Sequence, residues 1–280
     1  MKKLIYYMFD WDGNLLNLHT PSYLLHYVNK EWIEEKVTNE ELQYLLPIID
    51  NYYINGGYTE WKYIDDEKYT AFSEFRDNGY RGNSSFLLDT MNAITNKNFG
   101  SIWNEFIDCI IGGYCFAIIT ARGHEPNTIR ETIKWIINNY LSYDQYKLMI
   151  INLKKFNSLF DENDPINFLS DDEIIEDYLN DCEFIGISSE WFGKKFNVDN
   201  KSFLNDEYYK LIAAKYFINR LNHYGEKLNK KVEVGFSDDT LKNVTTMFLY
   251  FKNELSKLYP NIKFNVYHST INGKRKITSV

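Results

Sequence analysis

The sequence predicts an α/β fold, a parallel sheet with helices on both faces. Two observations predict it. Short apolar runs, too short for helices, alternate along the chain with stretches whose apolar residues recur at helical spacing. Three of those runs end in polar groups that suit a single site. Asp10 and Asp12 follow the first, Thr120 the second, and Asp238 with Asp239 a later one. Ligands of an open parallel sheet bind beyond the carboxyl ends of its strands. Carboxylates delivered there by two separated strands are far more specific than a single Asp-Gly turn.

Leu4 to Phe9 reads as a buried strand leading into Asp10-Trp11-Asp12-Gly13. Two carboxyl groups this close repel each other, and a bound cation is a natural way to stabilise them. An EF-hand calcium loop does not fit, because its positions 6 and 12 hold Leu15 and Pro21. Pro21 to Lys36 is predicted as a helix from the spacing of Leu24, Leu25, Val28, Trp32 and Ile33. Thr38-Asn39-Glu40-Glu41 is a helix start, with Leu42, Leu45, Leu46 and Ile49 following. Asn55-Gly56-Gly57 is a turn. The aromatics Trp61, Tyr63, Tyr69, Phe72 and Phe75 read as packing residues. A helix opens at Ser84-Ser85 and runs to Ile94; another, near Ser101 to Ile111, stops at Gly112-Gly113.

Tyr114 to Ile119 is a second buried strand, and it delivers Thr120-Ala121-Arg122-Gly123-His124. Glu125 to Tyr140 is an amphipathic helix with Ile129, Ile133, Ile136 and Ile137 on one side. Lys147 to Leu153 is predicted as a strand. The acidic stretch Asp161 to Asp181 has no clear period, and Phe184 to Ile187 suits a strand. Asn205 to Tyr224 is a helix, Lys231 to Phe236 a strand ending in Ser237-Asp238-Asp239, Thr240 to Leu258 a helix, and Lys263 to Tyr267 a last strand. The polar tail Asn272 to Val280 is expected to fray.

Composition sets the outer bounds. The 280 residues are 44% hydrophobic and 17% aromatic, enough for a sizeable core. A net charge of -8 argues against general affinity for nucleic acid backbone. The three cysteines, Cys109, Cys115 and Cys182, lack metal-type spacing; with no signal sequence, the expectation is a reducing cytoplasm. No apolar run is long enough to cross a membrane.

This set of motifs resembles the haloacid dehalogenase (HAD) superfamily over about two thirds of the chain. The family's Asp-x-Asp-Gly-Thr motif is matched by Asp10-Trp11-Asp12-Gly13-Asn14, with Asn14 in place of Thr. Its strand-Thr motif is matched by Ile118-Ile119-Thr120, and its paired acids by Asp238-Asp239. The family's lysine is matched by Lys210 or Lys215; Lys210, nearer the helix start, is favoured. The stretches EFRDNGYRG, FGSIWNEF and TARGHEPNTIR are also similar to a subgroup found in phages and large viruses.

The resemblance implies a HAD-like Rossmannoid core, 1–16 and 97–280, and a mostly helical cap, 17–96, with a second small insertion at 152–204. It implies a magnesium-dependent phosphatase acting on a small phosphorylated metabolite or nucleotide. Asp10 would be the nucleophile, forming an aspartyl-phosphate, and Asp12 the general acid and base. Mg2+ would be held by Asp10, the backbone carbonyl of Asp12, Asp238 and, directly or through water, Asp239. Thr120 and Lys210 would hold the phosphoryl group. Asn14, through its backbone amide, and Arg122, Arg76 and Arg81 are the expected substrate contacts, while His124 reads as a helix-start residue. The alternatives are a phosphatase of nucleic acid 3′ or 5′ ends, a catalytically idle binding or regulatory protein on the same fold, and a phosphomutase or phosphonatase.

Overall fold

The computed structural model describes residues 3–66, 68–157, 169–199, 206–270 and 272–279. Its centre is a six-stranded sheet built from β1 (Lys3–Phe9), β5 (Phe116–Thr120), β6 (Glu183–Gly186), β7 (Lys231–Asp238), β8 (Ile262–Thr270) and β9 (Gly273–Ser279). Their spatial order is β6-β5-β1-β7-β8-β9; all neighbours are parallel except β8 and β9. The two strands that deliver acids, β1 and β7, are adjacent, with Phe9 opposite Ser237. Strand alternation divides the faces. Leu4, Tyr6 and Met8 are buried on one side, against α9 (Asp206–Lys227); α10 (Leu241–Tyr250) packs on β7 and β8. On the other side Phe106 of α4 (Trp103–Ile111) meets Phe9 and Phe116 edge-on at 5.4 and 5.5 Å.

Helices on both faces are observed for the β6-β5-β1 half. On the β7-β8 half the second face carries Glu233 and Lys263, which pair with each other, and Lys3 of β1 pairs with the same Glu233; both lysines are about half exposed. The tail is not frayed: Gly273 to Ser279 pairs with β8, and Lys274, Arg275 and Lys276 place charge on the sheet's edge strand.

Two other elements differ from expectation. Pro21 to Lys36 is a β-hairpin, β2 (Ser22–Val28) and β3 (Glu31–Val37), not a helix. Asn29 and Lys30 both take positive φ, the two-residue turn that matches the twist of its flanking strands. Lys147 to Leu153 lies within helix α6 (Tyr143–Asn157), which buries Met149, Ile150, Leu153 and Phe156 along one side. The short apolar run fitted both periods.

The segment 17–96 is thus not mostly helical. β2 and β3 pair with β4 (Trp61–Tyr63) in a three-stranded antiparallel sheet. α1 (Asn39–Asn55) starts at Thr38 with a capping box to Glu41, a feature that stabilises a helix by about 1 kcal/mol. Leu24, Val37, Leu42, Ile49, Tyr63 and Ala71 form a separate small core there. That core ends well short of residue 96: α3 (Ser85–Thr95) packs on α5 (Pro126–Asn139), and its Phe86 and Ala93 belong to the main core. The stems run side by side, with the Asn17 N–H donating to the Asn98 carbonyl and Leu16 bridged to Phe99.

The expected small cover over 152–204 is not observed in its described part. That part supplies α7 (Asp171–Asp181), the sheet strand β6 and α8 (Glu190–Phe196). Most of the acidic stretch before Asp171, residues 158–168, lies outside the described residues. Among the described residues no helix is long and apolar enough to cross a membrane.

Candidate active site

Side chains from β1, β7 and α9 meet at the carboxyl ends of the strands. Asp10 leaves β1 with its backbone N–H donating to the Ser237 carbonyl at 3.0 Å. Oxygens of Asp10, Asp238 and Asp239 lie within 4.8 Å of one another. Lys210, one turn into α9, reaches between two of them and donates to Asp10 Oδ1 at 2.8 Å and Asp238 Oδ2 at 2.7 Å. Lys215 is exposed, so Lys210 is the lysine of this site. Asp238 is held further by the Thr240 N–H at 2.8 Å and by Asn243 Nδ2 at 3.1 and 3.0 Å.

Three carboxylates face one ammonium group. Burial, with Asp238 and Asp239 nearby, raises the Asp10 pKa well above the ordinary carboxylate range despite Lys210. Asp239 is raised as well, by burial first and by Asp238 second. Both shifts reflect first the cost of holding charge on buried carboxyls, to which the neighbouring acids add. An all-oxygen donor set of this kind fits a hard divalent cation such as magnesium. Gly13 is required here: its φ is +70°, and a Cβ would lie 2.2 Å from Asp239 Oδ2.

Asp12 is not in this cluster. Its two oxygens accept from Arg122 Nε and Nη2, both at 2.7 Å. Arg122 is only 2% exposed, with its guanidinium 4.7 Å from the Phe75 ring centre and 5.5 Å from that of Phe86. In this geometry Arg122 is a partner of Asp12, not a substrate contact. Thr120 is buried at the end of β5, and its hydroxyl accepts the Arg122 N–H at 3.3 Å.

The other expected substrate contacts also have structural partners. The Asn14 side chain is wholly buried. Its Nδ2 donates to the Asp10 carbonyl and Ser237 Oγ at 3.0 and 3.1 Å, and its Oδ1 accepts from Ser269 Oγ at 2.7 Å. It fastens β1 to β7 and β8. Arg81 makes a two-pronged pair with Asp89 at 2.7 and 2.8 Å and also bonds Glu74. Arg76 is buried in the seam between insert and core, with Nη1 3.5 Å from the Ser188 carbonyl. Neither arginine lines the cleft described next. His124 is buried against Asp77 at the start of α5, in keeping with a helix-start role.

A cleft of about 670 Å³ opens over the acids. Asp10, Asp12, Thr120, Lys210 and Asp239 form its floor; Leu18, His19, Leu42, Phe72 and Phe75 of the insert line it, with Asp206, Glu207 and Asn243 at the core side. These last eight carry no motif, and only the fold brings them together. The sequence pattern also marks neither Asp77 nor Thr20, whose partners lie far along the chain, nor Asp89, which pairs with Arg81 eight residues before it.

Comparison with protein-family models, with curated proteins and with solved structures gives no match.

Proposed function

We propose that the chain is a HAD-type, magnesium-dependent phosphatase acting on a small phosphate monoester. The observation that carries the reading is the meeting of Asp10, Asp238 and Asp239 around Lys210, under a cleft that Asp12 and Thr120 also line. Magnesium held by Asp10, Asp238 and Asp239 would neutralise charge that Lys210 alone does not, both on the acids and on an incoming phosphate.

The chain's own groups divide the work. Asp10 attacks phosphorus and becomes the aspartyl-phosphate. Lys210 sets its carboxylate and adds positive charge beside the transferring group. Asp12 gives a proton to the leaving oxygen and then takes one from the attacking water. Thr120, whose hydroxyl oxygen already accepts a backbone N–H, keeps its own proton to donate to a phosphoryl oxygen. The insert serves as a cap: Leu42, Phe72 and Phe75 narrow the cleft and exclude water from it. Asp206 and Glu207 make the rim acidic, which favours a leaving group with no further phosphate over a nucleic acid end.

The test is turnover of a panel of phosphorylated metabolites and nucleotides, with and without magnesium. Turnover that needs magnesium and disappears in Asp10→Asn supports the reading. No turnover of any ester would favour the idle binding protein instead.

A further inference from the structure

The insert is joined to Asp12 by an unbroken chain of hydrogen bonds. Arg122 Nη2 donates both to Asp12 Oδ1 and, at 2.8 Å, to Thr20 Oγ1. Thr20 in turn donates to Asp89 Oδ2 at 2.7 Å, and Asp89 is held by the paired nitrogens of Arg81. Thr20 is 1% exposed and Asp89 6%. Burial opposes ionisation of Asp89, but the bonds from Arg81 and Thr20 outweigh it and hold the carboxyl below its ordinary range. The charge on Arg122 therefore lies between two fixed acceptors, with phenyl rings packed beside it.

We propose that Thr20 and Asp89 are positioning residues that act through Arg122 to aim Asp12, so that proton delivery to the leaving group depends on the insert being docked. This rests on the phosphatase reading above. A planar guanidinium that binds both oxygens of a carboxylate fixes its rotation as well as its distance. One hydroxyl sets where the guanidinium sits. Neither Thr20 nor Asp89 lines the cleft, so neither touches substrate.

The signature is a dependence on the leaving group. An aryl phosphate leaves with little need of a proton; an alkyl phosphate needs Asp12. Thr20→Val keeps the side chain's shape and removes both bonds. It should lower kcat on an alkyl phosphate by about tenfold, a fraction of the roughly 10²–10⁴-fold a general acid contributes, and kcat on an aryl phosphate by less than about twofold. KM should hold for both. Thr20→Ser, which keeps the hydroxyl, should restore the alkyl rate. Arg122→Lys, which cannot bind both oxygens in one plane, should show the same asymmetry more strongly. Equal losses on both esters, or none, would overturn the proposal. Crystal structures of wild type and Thr20→Val decide the geometry without activity. Asp12 should lose its single two-pronged arrangement in the variant, and an unchanged Asp12–Arg122 pair would refute the positioning role. If wild type hydrolyses neither ester with magnesium, the phosphatase reading fails, while the structures still decide whether Thr20 aims Asp12.

Discussion

Asp77 and His124 meet across the seam between insert and core, Oδ1 to Nδ1 at 3.0 Å. The other oxygen of Asp77 accepts the Glu125 N–H at 3.0 Å and the Thr128 hydroxyl at 2.8 Å. A residue of the insert stretch thereby caps a core helix whose own N-cap, Glu125, makes no side-chain capping bond. Since a carboxylate only accepts, His124 Nδ1 carries the proton.

Acid should withdraw the contributions of His124, Asp77 and Asp89 in two stages. Burial, the largest influence on His124, pulls its pKa below the ordinary value although Asp77 pulls the other way. Below about pH 6.5 the unfolded chain then binds the proton more readily, so stability falls as pH drops through that range. Asp77 is held low because its three hydrogen bonds outweigh burial, and Asp89 likewise. Their contributions are present above about pH 3.9 and are lost as pH falls from there through their lower folded values. Urea unfolding at a series of pH values should show both stages. His124→Gln should abolish the upper one; an unchanged slope between about pH 5 and 7 would assign it elsewhere.

The two aspartates of β1's exit should separate by chemistry. On the proposed mechanism Asp10→Asn removes the nucleophile, and turnover should fall to background on every ester. On the same mechanism Asp12→Asn would leave the nucleophile in place and remove the proton shuttle. Alkyl phosphates should lose about 10²–10⁴-fold and aryl phosphates much less. The phosphoenzyme should also persist longer, which rapid acid quench can measure. Wild-type turnover in Asp10→Asn would make direct attack by water the better mechanism.

Metal and stability should be linked through the same acid. Asp10→Asn removes one of the three clustered carboxylates and keeps an oxygen that Lys210 can donate to. Magnesium should raise the wild-type melting temperature, since a ligand at 100 times its Kd adds about 2.7 kcal/mol. It should do so far less in the variant. A wild-type melting curve indifferent to magnesium would remove the metal from the account.

Gly13→Ala should damage the site without touching a catalytic group. A non-glycine residue at φ +70° costs roughly 1 kcal/mol. The new methyl would also displace Asp239, whose oxygen lies 2.2 Å from the position it would take. Weaker magnesium binding with an intact fold, read by calorimetry and circular dichroism, is the expected outcome.

Much of the fold and site was legible from local pattern. Met8 to Gly13 announced both the central strand and its acids, because a strand that ends in charge is visible in one short window. Lys210 was legible only through the family resemblance, which expects a lysine near the start of that helix. Leu24 to Ile33 misled because its apolar residues fit helical and alternating spacing alike; the turn at Asn29 and Lys30, where both residues take positive φ, decided it. Arg81 suggested substrate contact because its acidic partner Asp89 comes from the next helix, and Arg76 because the Ser188 carbonyl it reaches lies 112 residues on. Nothing near Thr20 marks it, since its two partners, Asp89 and Arg122, lie 69 and 102 residues on.

Gly123 ties the insert to the core. Its N–H donates to the Phe75 carbonyl at 2.8 Å, and its missing side chain lets the Arg76 stem and the Ser188 carbonyl close in, each 2.8 Å from where a Cβ would stand. Three segments cross at a point with no slack. Thr20, where the chain leaves for the insert, and Phe75, where it comes back, thus hold consecutive residues, Arg122 and Gly123. Two neighbouring residues of one core loop are therefore fastened to opposite ends of the insert, so the loop that holds Asp12 can keep its place only while both ends stay seated.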